Sequence, residues 1–218
     1  TAIQFLDADP VEYVGTWATG GSLNTARSEA GGFGTQTAGL AAGGSPAPSV
    51  ANTVELYNGT NWTETTEINT GRLSSAGFGV QTDGIITGGY GAPAFAVTES
   101  WNGSSWTEVN DLNTARWAMG NSGITTAGIV YGGATPPANV GNTETWNGTS
   151  WTEVNDLNTA RRSFASATSG TQTATLASGG YNGGPAFSNV ESWNGTSWTE
   201  TTDLNTARYN VAGAGIQT

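Results

Sequence analysis

The sequence predicts an all-β fold: a five-bladed β-propeller of four-stranded antiparallel blades, its ring closed by a C-terminal strand joining the N-terminal blade. Three observations predict it. The first is repetition. "ESWNGSSWTEVNDLNTAR" (99–116), "ETWNGTSWTEVNDLNTAR" (144–161) and "ESWNGTSWTETTDLNTAR" (191–208) are near copies, and looser copies begin at Glu55 and Glu12. The arginines that end them, Arg27, Arg72, Arg116, Arg161 and Arg208, stand 45, 44, 45 and 47 residues apart. Internal periods of this length belong to propellers, solenoids and arrays. The second is the strand grammar inside each period, and the third is a composition of 33 glycines with abundant Asn, Thr and Ser and no long helical periodicity.

One period, from Arg72 to Arg116, shows the elements in order. "RLSSAGFGVQT" reads as a first strand with small inward residues, and "DGIITGGY" as a short apolar strand ending in a Gly pair. "AVTESW" is a third strand and "SWTEVNDL" a fourth, joined through "WNGSSW", whose Asn-Gly is a strong hairpin signal. Four short antiparallel strands make a propeller blade. The chain divides into blades at 25–69, 70–113, 114–158 and 159–205, with a fifth from 209–218 plus 1–24. "YNVAGAGIQT" (209–218) supplies one inner strand to that blade, and the residues before Trp17 supply the other three. Joined this way the fifth unit has 37 residues, some eight fewer than the others. The N-terminus carries neither Met nor a signal-peptide pattern, so a trimmed, processed or internal domain is expected.

The Gly pairs stand at Gly43/Gly44, Gly88/Gly89, Gly132/Gly133 and Gly179/Gly180. A fourth-strand Trp recurs at Trp17, Trp62, Trp106, Trp151 and Trp198. A third-strand aromatic recurs at Tyr57, Trp101, Trp146 and Trp193, with Tyr13 in the equivalent place. The order Arg, small-residue strand, Gly-Gly, Glu-x-aromatic, Trp resembles the kelch repeat, and the resemblance covers the whole chain. The tight Asn-Gly link between strands three and four is shorter than is usual in kelch repeats. Repeated residues read as scaffold: the tryptophans packing between sheets, the arginines bonding carbonyls or a repeated Glu near the Gly pair. "NGT" and "NGS" at Asn58, Asn102, Asn147 and Asn194 are glycosylation sequons, and turn chemistry accounts for them without sugar.

Composition narrows the chemistry. With no Cys and no His, disulfides, thiolate nucleophiles, zinc sites and imidazole bases are excluded. So are the His and Cys ligands that kelch-like copper oxidases need, and no metal site or cofactor is expected. No Lys and six Arg against seventeen carboxylates give a net charge of −11, which disfavours nucleic acid and anionic membrane surfaces, and no stretch is apolar enough for membrane insertion. Thirteen acids fall on repeat columns, leaving Asp7, Asp9, Glu29 and Asp83. A glycosidase needs two carboxylates in distinct environments, which repeated acids do not supply, so no enzyme is expected. The register acids (Glu12, Glu55, Glu99, Glu144, Glu191) could instead line a channel and hold a cation.

The copies differ most in two places: the three residues after each Arg, and the stretch after each Gly pair. In a four-stranded blade both lie at one end, so they crowd one face. That face would carry Trp117, Arg162, Tyr209, Tyr90 and Tyr181, with Phe95 and Phe187 in the longer loops. Loops on a rigid scaffold carry binding, and aromatics with Arg are its usual anchors. Kelch propellers also commonly use this face for ligands. Runs such as "WNGTSWTEVNDLNTAR" resemble repeats in marine bacteriophage proteins of tails and virion surfaces. The resemblance implies a recognition or structural module, extracellular or on a virion, and the reading taken is one that binds a host-surface glycan; the propeller itself is expected to be a monomer. The alternatives are a structural propeller contacting only virion neighbours, and a carbohydrate-active enzyme using the leftover acids.

Overall fold

The computed structural model describes residues 19–46 and 49–215. Among these there is no α-helix, and the strands form four four-stranded sheets, each antiparallel with neighbours paired in chain order. The first sheet holds β1 (Gly31–Thr35), β2 (Ala38–Ala42), β3 (Val54–Tyr57) and β4 (Trp62–Thr65). The second holds β5 (Ala76–Val80), β6 (Asp83–Thr87), β7 (Thr98–Trp101) and β8 (Trp106–Val109). The third begins with β9 (Gly120–Ile124) and β10 (Ala127–Tyr131). A small hairpin, β11 (Ala134–Thr135) and β12 (Ala138–Asn139), follows before β13 (Thr143–Trp146) and β14 (Trp151–Val154) complete the sheet. The fourth holds β15 (Ala165–Ser166), β16 (Thr175–Ser178), β17 (Val190–Trp193) and β18 (Trp198–Glu200). Each sheet falls within one expected unit.

The expected C-terminal inner strand differs: residues 209–215 form no strand ladder. The second strand it would pair with belongs to residues 1–17, which lie outside the described residues, as do Glu12, Tyr13, Trp17, Asp7 and Asp9. The segment nevertheless runs beside β15. Asn210 N–H donates to Ser163 C=O at 2.8 Å, and the Thr168 hydroxyl to Gly213 C=O at 3.2 Å. A cavity of about 410 Å3 is lined by Gly31, Gly77, Asn121, Ser166 and Ala212 together, so the first strands of all four sheets and this segment share one interior.

Three apolar cores lie between successive sheets. The first joins Leu40 and Val54 to Ile86, Trp101 and Trp106. The second joins Phe78 and Ile85 to Val130, Trp146 and Trp151, and the third joins Ile129 and Tyr131 to Ala177, Trp193 and Trp198. The two tryptophans of each hairpin form a tilted pair with centroids 5.1 to 5.3 Å apart. Their indole N–H groups divide the work. Trp101, Trp146 and Trp193 donate to the turn between the first two strands of their own sheet. Trp106, Trp151 and Trp198 reach back to Thr66 C=O and to the Thr98 and Thr143 hydroxyls of the sheet before. Buried indoles need such partners, so the second Trp of each hairpin fixes a sheet-to-sheet register, and the first fixes its own sheet, as well as burying area. Gly128 is required by this packing: a Cβ there would lie 2.3 Å from the Phe78 ring of the preceding sheet. Tyr131 continues the pattern. Its hydroxyl contacts Thr175 Oγ1 at 2.9 Å, and burial raises its pKa.

The repeated arginine bonds both partners expected of it. Arg72 donates to Gly88 C=O, to Val97 C=O and to Glu99, the last at 2.5 Å. Arg27–Glu55 (2.5 Å), Arg116–Glu144 (2.9 Å) and Arg161–Glu191 repeat the pair, with side chains at most 1% exposed. Burial pulls the pKa of Arg72 and Arg116 down, against the opposing pull of Glu99 and Glu144. The same carboxylates accept backbone N–H groups from the preceding "LNTAR" ("INTGR" at 68–72): Asn24, Asn69, Asn113 and Asn158 each donate at 2.7 Å. The Gly pair is what lets the arginine in. Gly88 and Gly89 have φ of 62° and 105°, and a Cβ on Gly88 would lie 2.6 Å from Arg116 C=O. The four described register glutamates are thus committed to arginines, which removes them from the proposed cation channel.

Two measurements check this scaffold. Trp106→Ala or Trp151→Ala should cost roughly 3–5 kcal/mol in denaturant melts, the range for a buried aromatic truncated to Ala. Glu144→Ala, which strands a buried guanidinium, should cost about as much. Glu153→Ala, at an exposed repeat position, should stay within about 0.5 kcal/mol.

Candidate functional site

The two variable stretches bond to each other. Isolated antiparallel bridges join Ser28 to Ser45, Leu73 to Tyr90, Trp117 to Ala134 and Arg162 to Tyr181. The residue after each arginine is therefore held against the residue after the Gly pair, and both lie at one end of the sheets. The Asn-Gly hairpins lie at the other end, since Gly103, Gly148 and Gly195 approach the turns at Thr82, Thr126 and Thr173. There Asn102 Oδ1 accepts from Ser104 and Ser105 N–H at 3.0 and 2.9 Å, so turn chemistry accounts for these asparagines.

The second residue after each arginine adopts left-handed backbone geometry. Glu29, Ser74, Ala118, Ser163 and Asn210 have φ of 56°, 51°, 53°, 55° and 53°. For side-chain-bearing residues this costs about 1–2 kcal/mol each. A chain of hydrogen bonds holds them there. Ser74 N–H donates to Glu29 C=O (2.8 Å), Ala118 to Ser74 (2.9 Å), Ser163 to Ala118 (3.1 Å) and Asn210 to Ser163 (2.8 Å). The five peptide groups form an arc running from unit to unit, every N–H pointing the same way along it.

On this arc stands a cavity of about 480 Å3, lined by Glu29, Ser74, Trp117, Arg162, Ser163, Tyr181, Tyr209 and Asn210. Its wall of Trp117, Arg162, Tyr181 and Tyr209 is continuous and runs on beyond the cavity to Tyr90. Tyr90 and Trp117 have centroids 5.6 Å apart. The Arg162 guanidinium carbon is 5.0 Å from the Trp117 centroid and 5.3 Å from that of Tyr181. Tyr181 and Tyr209 are 5.2 Å apart. All five mouth residues expected from the sequence thus meet in one stack. Tyr209 is 49% exposed, and the other four are half-buried. Beyond the stack, Tyr90 also borders an open groove of about 570 Å3 with Pro93 and Pro136.

Phe95 and Phe187 are not part of this wall. Their backbones dock the loop: Phe95 N–H donates to Gly89 C=O while Phe95 C=O accepts from Arg116 N–H, and Phe187 does the same with Gly180 and Arg208. Ala51 and Val140 donate to the equivalent Gly carbonyls, so the aromatic ring is incidental to that position. The cavity also contains Ser74, Ser163 and Asn210, which the sequence did not single out, and Glu29, one of the leftover acids. Of the leftover acids, Glu29 accepts from the Ser74 hydroxyl, and Asp83 accepts from Thr125 Oγ1 at 2.7 Å as a sheet-to-sheet link. They are on different sheets and at opposite ends, Asp83 opening β6 beside the far turn and Glu29 at the mouth.

No protein-family model matches the chain, and no curated protein matches it.

The arc makes the mouth independent of its side chains. Trp117→Ala, Tyr181→Ala and Tyr209→Ala should keep the far-ultraviolet dichroism unchanged and lower stability by no more than about 1 kcal/mol each. A loss as large as that from Trp151→Ala would make the stack scaffold rather than site.

Proposed function

We propose that the chain is a kelch-like, five-bladed β-propeller serving as a non-enzymatic recognition module, extracellular or virion-borne, that binds a host-surface glycan at the Arg162 face. The observation that carries the reading is the unbroken stack Tyr90–Trp117–Arg162–Tyr181–Tyr209 beside a cavity floored by Ser74, Ser163 and Asn210. Flat aromatic faces suit the C–H faces of pyranose rings, while hydroxyls, amides and a carboxylate bond sugar hydroxyls. The stack is built from columns where the repeats differ, on a scaffold whose other columns barely change. Preorganised side chains of this kind lose little conformational freedom on binding.

Five blades are supported by the five left-handed residues, which recur once per unit, and by the C-terminal segment beside β15. In a closed ring the carboxylate that would pair with Arg208, by repeat register, is Glu12.

A glycan array with the wild-type chain should give reproducible hits without turnover, and Trp117→Ala and Tyr181→Ala should abolish them at unchanged melting temperature. Hits lost instead on altering the Asn102-Gly103 hairpin would place binding on the other face. Binding only to virion components would favour the structural propeller. Closure has its own test: Arg208→Ala and Glu12→Ala should each destabilise by more than about 1 kcal/mol, with the double variant little worse than either. Additive, negligible effects would leave the ring open.

A further inference from the structure

We infer that the sugar taken at this mouth carries a carboxylate, seated on Arg162 and the indole N–H of Trp117. The inference rests on the glycan reading above. Arg162 is the one arginine of six outside the repeat register. Arg27, Arg72, Arg116 and Arg161 each meet a buried glutamate. Arg162 has no carboxylate within ion-pair distance among the described residues. Its side chain makes one hydrogen bond there, to Asn139 Oδ1 at 3.2 Å. The rings of Trp117 and Tyr181 fix the guanidinium by its faces and use none of its N–H groups. A guanidinium has five donors in a planar fork that matches a carboxylate edge, so most of them remain for a ligand.

A second observation points the same way. Trp117 Nε1 is buried and has no hydrogen-bond acceptor among the described residues. Every other described indole, all of them on the hairpins, has one. An indole can only donate, and a buried donor without an acceptor is destabilising. Arg162 turns free donors to the cavity, and the Trp117 ring, its centroid 5.0 Å from the guanidinium carbon, carries one more donor that a small shift of the indole would open to the same ligand. A carboxylate, with two oxygens and about four lone-pair sites, meets both, whereas a single sugar hydroxyl meets one.

The other charge of the cavity sets the orientation. Glu29 accepts from the Ser74 hydroxyl and adds acceptor capacity for sugar hydroxyls. A sugar acid would thus present its carboxylate to Arg162 and its hydroxyls to Glu29. The net charge of −11 does not forbid this, because exposed acids further away than about 8 Å are largely screened at physiological salt.

The test is titration calorimetry of the whole chain with uronic-acid oligosaccharides (galacturonate, glucuronate and mannuronate series), each beside its carboxyl-reduced neutral counterpart. At least one acidic series should bind roughly tenfold or more tighter than its reduced form, the usual worth of a hydrogen-bonded charge. Arg162→Gln should bring that ratio toward one, Arg162→Lys should keep part of it, and Trp117→Phe should lower it while keeping the ring. Thermal melts establish that the variants fold. A ratio near one in the wild type, or a ratio that survives Arg162→Gln, overturns the carboxylate. If neutral sugars from the array bind as well as acidic ones, this inference falls and the glycan reading stands. If no saccharide binds, both fall. Binding of poly-glutamate in place of the uronates overturns it in favour of an acidic peptide.

Discussion

A guanidinium buried at each joint is the constraint on which the rest of the structure depends. Once Arg72 is out of water it must have a carboxylate and carbonyls around it, because an unpaired buried charge costs several kcal/mol. Glu99 on β7 supplies the carboxylate, and Gly88 and Val97 supply the carbonyls. The Gly pair must then turn left-handed to aim Gly88 C=O inward. Glu99 has oxygens to spare, and Asn69 and Thr70 N–H take them, which pins the connector from the previous sheet. One buried charge thus dictates the Gly pair, the third-strand Glu and the "LNTAR" link together. A buried ion pair adds little net stability over apolar packing. The drive comes from the tryptophan-rich cores between sheets, and the ion pair makes one register the only tolerable one.

Arg, Gly-Gly, Glu and Trp columns were legible in the sequence because their roles need one residue type each. The mouth was legible for the opposite reason: Trp117, Arg162, Tyr181 and Tyr209 depart from a background that hardly varies. Two things were not legible. Glu29, Ser74, Ala118, Ser163 and Asn210 share no chemistry, since what they have in common is a backbone angle and a main-chain hydrogen bond. Comparing that column for residues tolerant of positive φ, such as Asn and Ser, would have been the only hint. Phe95 and Phe187 misled in the other direction. Aromatics in a loop look like anchors, but Ala51 and Val140 stand in the same column, and the loop holds that place by its backbone.

The two ends of the sheets are stabilised by different means. At the far end Gln81 Nε2 bonds Gly39 and Tyr57 C=O of the sheet before it, and Gln172 Nε2 bonds Gly128 and Trp146 C=O in the same manner. Thr125, in the same column of the third unit, makes its own side-chain link, to Asp83 of the sheet before. At the mouth the links from unit to unit are peptide groups, and the side chains are released from structural duty. Variation collects where the backbone alone holds the structure together.

The described joints share one device, the buried Arg–Glu pair beside the Gly pair, and differ in their other contacts, with Gln81 and Gln172 at two and Asp83–Thr125 at the third. Recombination between such similar stretches would reorder, duplicate or replace whole units while keeping that device. The order of Trp117, Arg162 and Tyr209 along the variable end would then change with the order of the units, with no change of fold.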